Sequence, residues 1–273
     1  MLYSCATDYF HDTDDPRPYI RSLADAGFDG IHWCHHWADD YMYTPEDVGA
    51  LKQYLADLGI ALFDIHASAG KRWVWEAAEE QDRQEGVRLI KNRIDMAAAL
   101  GAAAVVLHAS AQGNLDSQRR SLGELEEYVR NRNVKIALEN LSSPDNRRLE
   151  VLFSQFSPDF LGFCYDTGHG NLTKDGPTLA KVWGNRLYAL HVHDNDGKAD
   201  RHWVPFRGTL DWKPVIEAIG CSVYQGPLTL ELKWYTETGE PERDFLATAK
   251  LAAERLTAMV EAVRGKSFTK PWG

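Results

Sequence analysis

Ten histidines and forty acidic side chains are spread along the 273-residue chain, but a subset falls into a pattern that could do chemistry. His66, His108, Glu139, Asp166, His191 and Glu231 stand at or near the ends of short apolar runs. His169, His193, Asp194, Asp200 and His202 follow close behind. Imidazole and carboxylate together form the ligand set of Zn, Mn, Co or Fe. One His or carboxylate at a run end is most often satisfied by a neighbouring loop. Four carboxylates brought to one point are different, because repulsion and desolvation would cost several kcal/mol without positive charge beside them. Lys and Arg are scarce at these run ends, with Lys233 and Arg207 the nearest candidates. If the fold makes these run ends converge, the pattern predicts a centre for one to three divalent ions.

The elements that must do the positioning alternate regularly. Strand-like runs are read at Leu2–Ala6, Gly30–Trp33, Ala61–His66, Ala104–His108, Lys135–Glu139, Leu161–Asp166, Leu187–His193 and Leu228–Leu232. Helical stretches follow at about 16–26, 45–58, 79–100, 117–131, 145–156, 176–183, 211–219 and 242–264. The third is clearest, with Val87, Ile90, Ile94, Ala97 and Ala98 on one face. Gly27, Gly59 and Gly101 stand where helices should stop, and Thr44-Pro45-Glu46 reads as a helix start. Eight such units predict an α/β fold, one (β/α)₈ TIM barrel spanning residues 1–273, with its active site at the C-terminal ends of the strands. A doubly wound open sheet would need a glycine cluster after the first strand, and Cys5–Phe10 has none.

Composition narrows the function. No apolar run is long enough to span a membrane, and residues 1 to 6 do not read as a secretion signal. Cys5, Cys34, Cys164 and Cys221 show neither metal-finger spacing nor a disulfide framework, so a cytoplasmic setting is expected. A net charge of −10 opposes a protein that grips nucleic acid. Cys164 reads as a small packing residue rather than a nucleophile.

Four motifs in order carry a resemblance to the xylose-isomerase-like TIM-barrel superfamily, which holds sugar phosphate isomerases and epimerases and the zinc-type apurinic endonucleases. They are Ile136-Ala137-Leu138-Glu139-Asn140, Cys164-Tyr165-Asp166-Thr167-Gly168-His169, the segment His191 to Lys198 with Gly208-Thr209-Leu210-Asp211-Trp212, and Thr229-Leu230-Glu231-Leu232. The resemblance implies that Glu139, Asp166, His191 and Glu231 are the metal quartet shared by the epimerases. It further matches His66, His108, His169, Asp200 and His202 to the remaining ligands of a three-zinc site. It also implies a homo-oligomer joined through barrel helices. One departure stands out: relatives commonly read Pro-Gly-x-Gly where this chain has Pro205-Phe206-Arg207-Gly208.

Two chemistries suit such a centre. In the first, a metal-dependent isomerase or epimerase of a sugar, sugar phosphate or cyclitol removes a proton next to a carbonyl through a metal-stabilised enediolate. Glu139 and Glu231 serve as the acid–base pair. His169, Lys233 and Arg207 would position hydroxyls or a phosphate. Trp33, Trp73 and Trp203, with Trp37, Trp75 and Trp234, would wall the sugar ring. In the second, a multinuclear zinc phosphoesterase hydrolyses a small phosphate ester, and His66, His108, Asp200 and His202 become essential. A sugar-binding accessory subunit would use the same residues without turnover.

Overall fold

Runs buried on both faces become strands, and the amphipathic stretches between them become the helices that cover the sheet. In the computed structural model, which describes residues 1–10, 15–71, 74–142 and 146–267, the strands are β1 (Tyr3–Ala6), β2 (Gly30–Trp33), β3 (Ala61–His66), β4 (Ala104–His108), β5 (Lys135–Glu139), β6 (Leu161–Asp166), β7 (Leu187–His191) and β8 (Leu228–Leu230). All pair in parallel in the order β7-β6-β5-β4-β3-β2-β1-β8. Val192 N donates to Thr229 O and Glu231 N to Val192 O, which ties the two outer strands together. The result is a single (β/α)₈ barrel.

Nine helices are described: α1 (Arg17–Asp25), α2 (Pro45–Leu58), α3 (Glu80–Leu100), α4 (Leu115–Val129), α5 (Arg147–Phe153), α6 (Thr167–Thr173), α7 (Gly176–Val182), α8 (Trp212–Gly220) and α9 (Glu242–Ser267). None is long and apolar enough to cross a membrane. Thr44 and Asp47 exchange a capping box at the start of α2, and Gly59 ends it at φ 65°, a left-handed turn that costs glycine little. Several sequence expectations shift, with β1 starting at Tyr3 rather than Leu2 and β8 ending at Leu230 rather than Leu232. β7 stops at His191 rather than His193, because the chain bends so that Asp194 can exchange backbone hydrogen bonds with Trp203 (2.8 and 2.9 Å). The short helix α6 was not foreseen; Asp166 nucleates it by accepting from His169 N (2.6 Å).

Strand periodicity explains how the barrel prepares its upper end. Two residues before each strand-end candidate, on the same face, lie Asp64, Val106, Ala137, Cys164, Ala189 and Thr229. Val106, Ala137, Cys164 and Ala189 form a small apolar cluster of their own. Ser4 with Thr229 (2.7 Å) and His32 with Asp64 (2.7 Å) complete this layer as hydrogen-bonded pairs. Small side chains here leave room for large polar ones in the layer above.

Candidate metal centre

The strand ends do converge. Four ligand atoms, one each from Glu139, Asp166, His191 and Glu231, lie within 4.8 Å of one another. His191 Nδ1 sits 3.1 Å from Glu139 Oε2 and 3.2 Å from Glu231 Oε2. Both distances are short, yet none of these three atoms has an aligned hydrogen bond, and all are buried. Buried polar atoms almost always have partners. Three that lack one and share a focus, offered by carboxylates and an imidazole, fit a divalent cation.

Two more groups flank the quartet. His66, His108 and Glu139 form one, with His66 Nε2 and His108 Nε2 3.2 Å apart and His108 Nε2 3.3 Å from Glu139 Oε2. On the other side His169 Nε2 and His202 Nε2 reach Asp200 Oδ2 at 3.2 and 3.1 Å. His193 joins that second group. Its ring stacks on His202 at 4.1 Å, and its Nε2 lies 3.1 Å from Asp166 Oδ2. His66, His169 and His202 each donate Nδ1–H to a backbone carbonyl, of Ala67, Asn140 and Glu231, which leaves Nε2 free for the cluster. His202 takes φ 48°, a strained conformation for a non-glycine residue, and Lys233 N donates to its carbonyl to hold it there.

The electrostatics show how much positive charge the centre wants. Burial alone would raise Glu139 and Glu231, but His191 and the other imidazoles outweigh it and hold both well below the usual carboxylate range. Burial likewise opposes charge on His191, yet Cys164, Glu231 and Glu139 beside it drive it well above its ordinary value. His202 is pushed up to about 9 against burial by Asp200 and Glu231. His66 goes the other way, down to about 3, through burial and then His108. Burial raises the Cys164 thiol, so it stays neutral beside Glu139 and His191.

Above these groups lies a cavity of about 190 Å³, lined by His66, His108, Glu139, His169, Asp200, His202 and Glu231 together with Trp37, Lys233, Leu232, Cys34 and Asp8. Larger clefts exist, such as one of about 650 Å³ between α1 and α9, but among the described residues no group of ligand atoms converges there. Lys233 is part of the cavity lining. Trp203 and Arg207 line an adjoining cleft of about 440 Å³ that shares Lys233, and Arg207 is held there by Glu240 through two bonds (2.8 and 3.0 Å). Trp33 is not in the centre. It is nearly buried, donates to Tyr43 OH, and lines a separate cleft, because neighbouring His32 takes the inward direction on β2. Trp73 lies outside the described residues.

Sequence reasoning missed three side chains. Asp8, after β1, brings a further carboxyl to the cavity, and burial followed by Glu231 raises its pKa. His32 and Asp64 were masked by their apolar neighbours, although Asp64 precedes His66 by one strand period.

The family pattern described as xylose isomerase-like TIM barrel matches residues 20–257. The chain belongs to that family. A curated relative, protein y4fM of Sinorhizobium fredii, is 33% identical over 92% of this chain and 91% of its own length. Fructoselysine 3-epimerase of Shigella flexneri is 26% identical over 78% of this chain and 83% of its own. Among solved structures, a D-tagatose 3-epimerase-like protein superposes with a TM-score of 0.75 at 21% identity, covering 98% of this chain and 100% of that one. D-psicose 3-epimerase of Clostridium cellulolyticum H10 gives 0.74 at 16%, covering 95% and 99%. The proteins it resembles thus include sugar epimerases.

Proposed function

We propose that the chain is a divalent-metal-dependent epimerase or isomerase of a sugar, sugar phosphate or cyclitol. The observation that carries this reading is the pair Glu139 and Glu231, whose carboxylate oxygens flank His191 Nδ1 at the foot of an enclosed cavity. Glu139, Asp166, His191 and Glu231 would hold the ion. A cation there supplies Lewis acidity that lowers the cost of removing a proton next to a carbonyl. Glu139 and Glu231 rise from β5 and from beyond β8, so one carboxylate takes the proton and the other returns one to the opposite face of the carbon. His169, anchored through Nδ1 to the Asn140 carbonyl, holds a substrate hydroxyl, and Trp37 and Leu232 keep bulk water from the reacting carbon. Lys233 takes the far end of the substrate.

A second reading, a phosphoesterase with two or three zinc ions, is favoured by the two flanking groups around Asp200 and around His66 and His108. Even three divalent ions would leave the chain negative, so its ester would be small rather than a nucleic acid. The test is incubation of metal-loaded protein with ketoses, their phosphates and inososes, read by NMR for a new stereoisomer. A new stereoisomer from one of them is the expected result. Alcohol released from a small phosphodiester, with no isomer formed, overturns the epimerase reading in favour of the second.

A further inference from the structure

Three imidazoles of the centre have their outer nitrogen anchored, since Nδ1 of His66, His169 and His202 donates to a backbone carbonyl at 3.1, 2.9 and 2.9 Å. His191 is turned the other way. Its Nδ1 faces Glu139 and Glu231, while Nε2 is buried without a partner. An imidazole that offers Nδ1 to a cation carries its proton on Nε2, and that N–H needs an acceptor. The ring packed against His191 is His32, with centroids 4.5 Å apart and planes at 61°. His32 Nδ1 lies 2.7 Å from Asp64 Oδ1, and both side chains are buried. A carboxylate only accepts, so His32 donates through Nδ1, and the tautomer that does so presents Nε2 as an acceptor. That Nε2 is also buried and unpartnered. A donor and an acceptor, each without a partner, therefore lie on adjoining rings. The Cys164 thiol beside His191 is only a weak acceptor.

We propose that Asp64 and His32 are a positioning pair for the metal centre: Asp64 fixes the His32 tautomer, and a small tilt of the packed rings closes the unmade bond from His191 Nε2–H to His32 Nε2 when an ion is held at Nδ1. The inference rests on the metal reading of the quartet and adds residues that are not themselves ligands. Pairs of this kind raise ligand basicity and lock ring orientation, and losing them typically costs about 10- to 100-fold in metal affinity.

The experiment measures zinc affinity by competition with a chromophoric chelator. Removing one partner would strand the other in the core, so the pair is replaced together in a His32→Leu/Asp64→Leu variant. His32→Gln keeps an amide N–H for Asp64 and an amide oxygen for His191. The expected result is about 10- to 100-fold weaker zinc binding for the double variant, with the thermal unfolding of the metal-free protein retained, and affinity within about threefold of wild type for His32→Gln. Equal affinity in the double variant, or equal loss in both variants, overturns the positioning role and leaves the metal centre standing. A wild-type chain that binds no zinc or manganese overturns both together. Should the double variant not fold, ¹⁵N-histidine NMR of the zinc-loaded wild type decides: His32 protonated on Nδ1 and His191 on Nε2 support the pair, and the opposite tautomer of His32 refutes it.

Discussion

Asp194 holds together the loop that delivers Asp200 and His202, and replacing it with Asn tests that role. The side chain is fully buried and accepts four hydrogen bonds. Asn195 N and Leu210 N donate to Oδ1 at 2.9 and 3.1 Å, and Phe206 N and Trp212 Nε1 donate to Oδ2 at 3.1 and 3.3 Å. An Asn amide puts an NH₂ against one of these donor pairs, so two bonds are lost whichever way it turns. Hydrogen bonds to a charged group contribute about 1.5–3 kcal/mol each, and relaxation recovers part, so about 3 kcal/mol is the expected loss. For a chain of this size each kcal/mol corresponds to about 2–4 °C, giving a fall in Tm of about 6–12 °C. The assay is thermal unfolding of the metal-free protein by circular dichroism, followed by metal content of the refilled protein, which should also drop if the Asp200–His202 group binds its own ion. Gly208→Ala should act alike, because its Cβ would lie 2.2 Å from Asp194 Oδ1 and 2.3 Å from Asn195 O. A Tm within about 2 °C of wild type for Asp194→Asn would refute the reasoning.

Three further outcomes are expected. Gly168→Ala places a Cβ 1.9 Å from His193 Cε1 in a fully buried ring, so it should destabilise by about 1–3 kcal/mol and loosen Asp166; calorimetry and zinc affinity check both effects. Chelation of the loaded protein should abolish turnover. It should also lower Tm as binding energy is withdrawn, about 2.7 kcal/mol if free metal had stood at 100 times Kd, with both restored by Mn or Zn but not by Ca. His202→Ala should reduce the metal-to-protein ratio by elemental analysis only if the group around Asp200 binds its own ion, and an unchanged ratio near one argues for the single-ion quartet.

How much of this was legible in the sequence follows from where polar residues interrupt apolar runs. Glu139, Asp166 and His191 end their strands, so the alternation that revealed the barrel revealed them too. Phe206 shows why the departure from the resembling loop pattern could not be interpreted from sequence alone. It takes φ 74°, a left-handed conformation that favours glycine, and its ring lies against Trp212 and under the Arg255 guanidinium, contacts that offset the backbone strain. Arg207 was visible as a cation near the centre, but its partner Glu240 lies 33 residues onward, and local spacing carries no sign of it. The direction of Trp33 was readable in principle, since β2 alternates and His32 occupies the inner face. Asp8 was the hardest to see, being a single carboxylate after β1 with no motif around it.

The most direct measurement is the incorporation of solvent deuterium at the carbon next to the carbonyl, followed by NMR in D₂O with metal-loaded protein and the ketose that gives a new isomer. Proton abstraction by Glu139 and Glu231 predicts exchange at that carbon, reduced about 10²- to 10⁴-fold in Glu231→Gln although the variant still folds. Isomer formation with no deuterium uptake, or Glu231→Gln exchanging at the wild-type rate, would contradict the account.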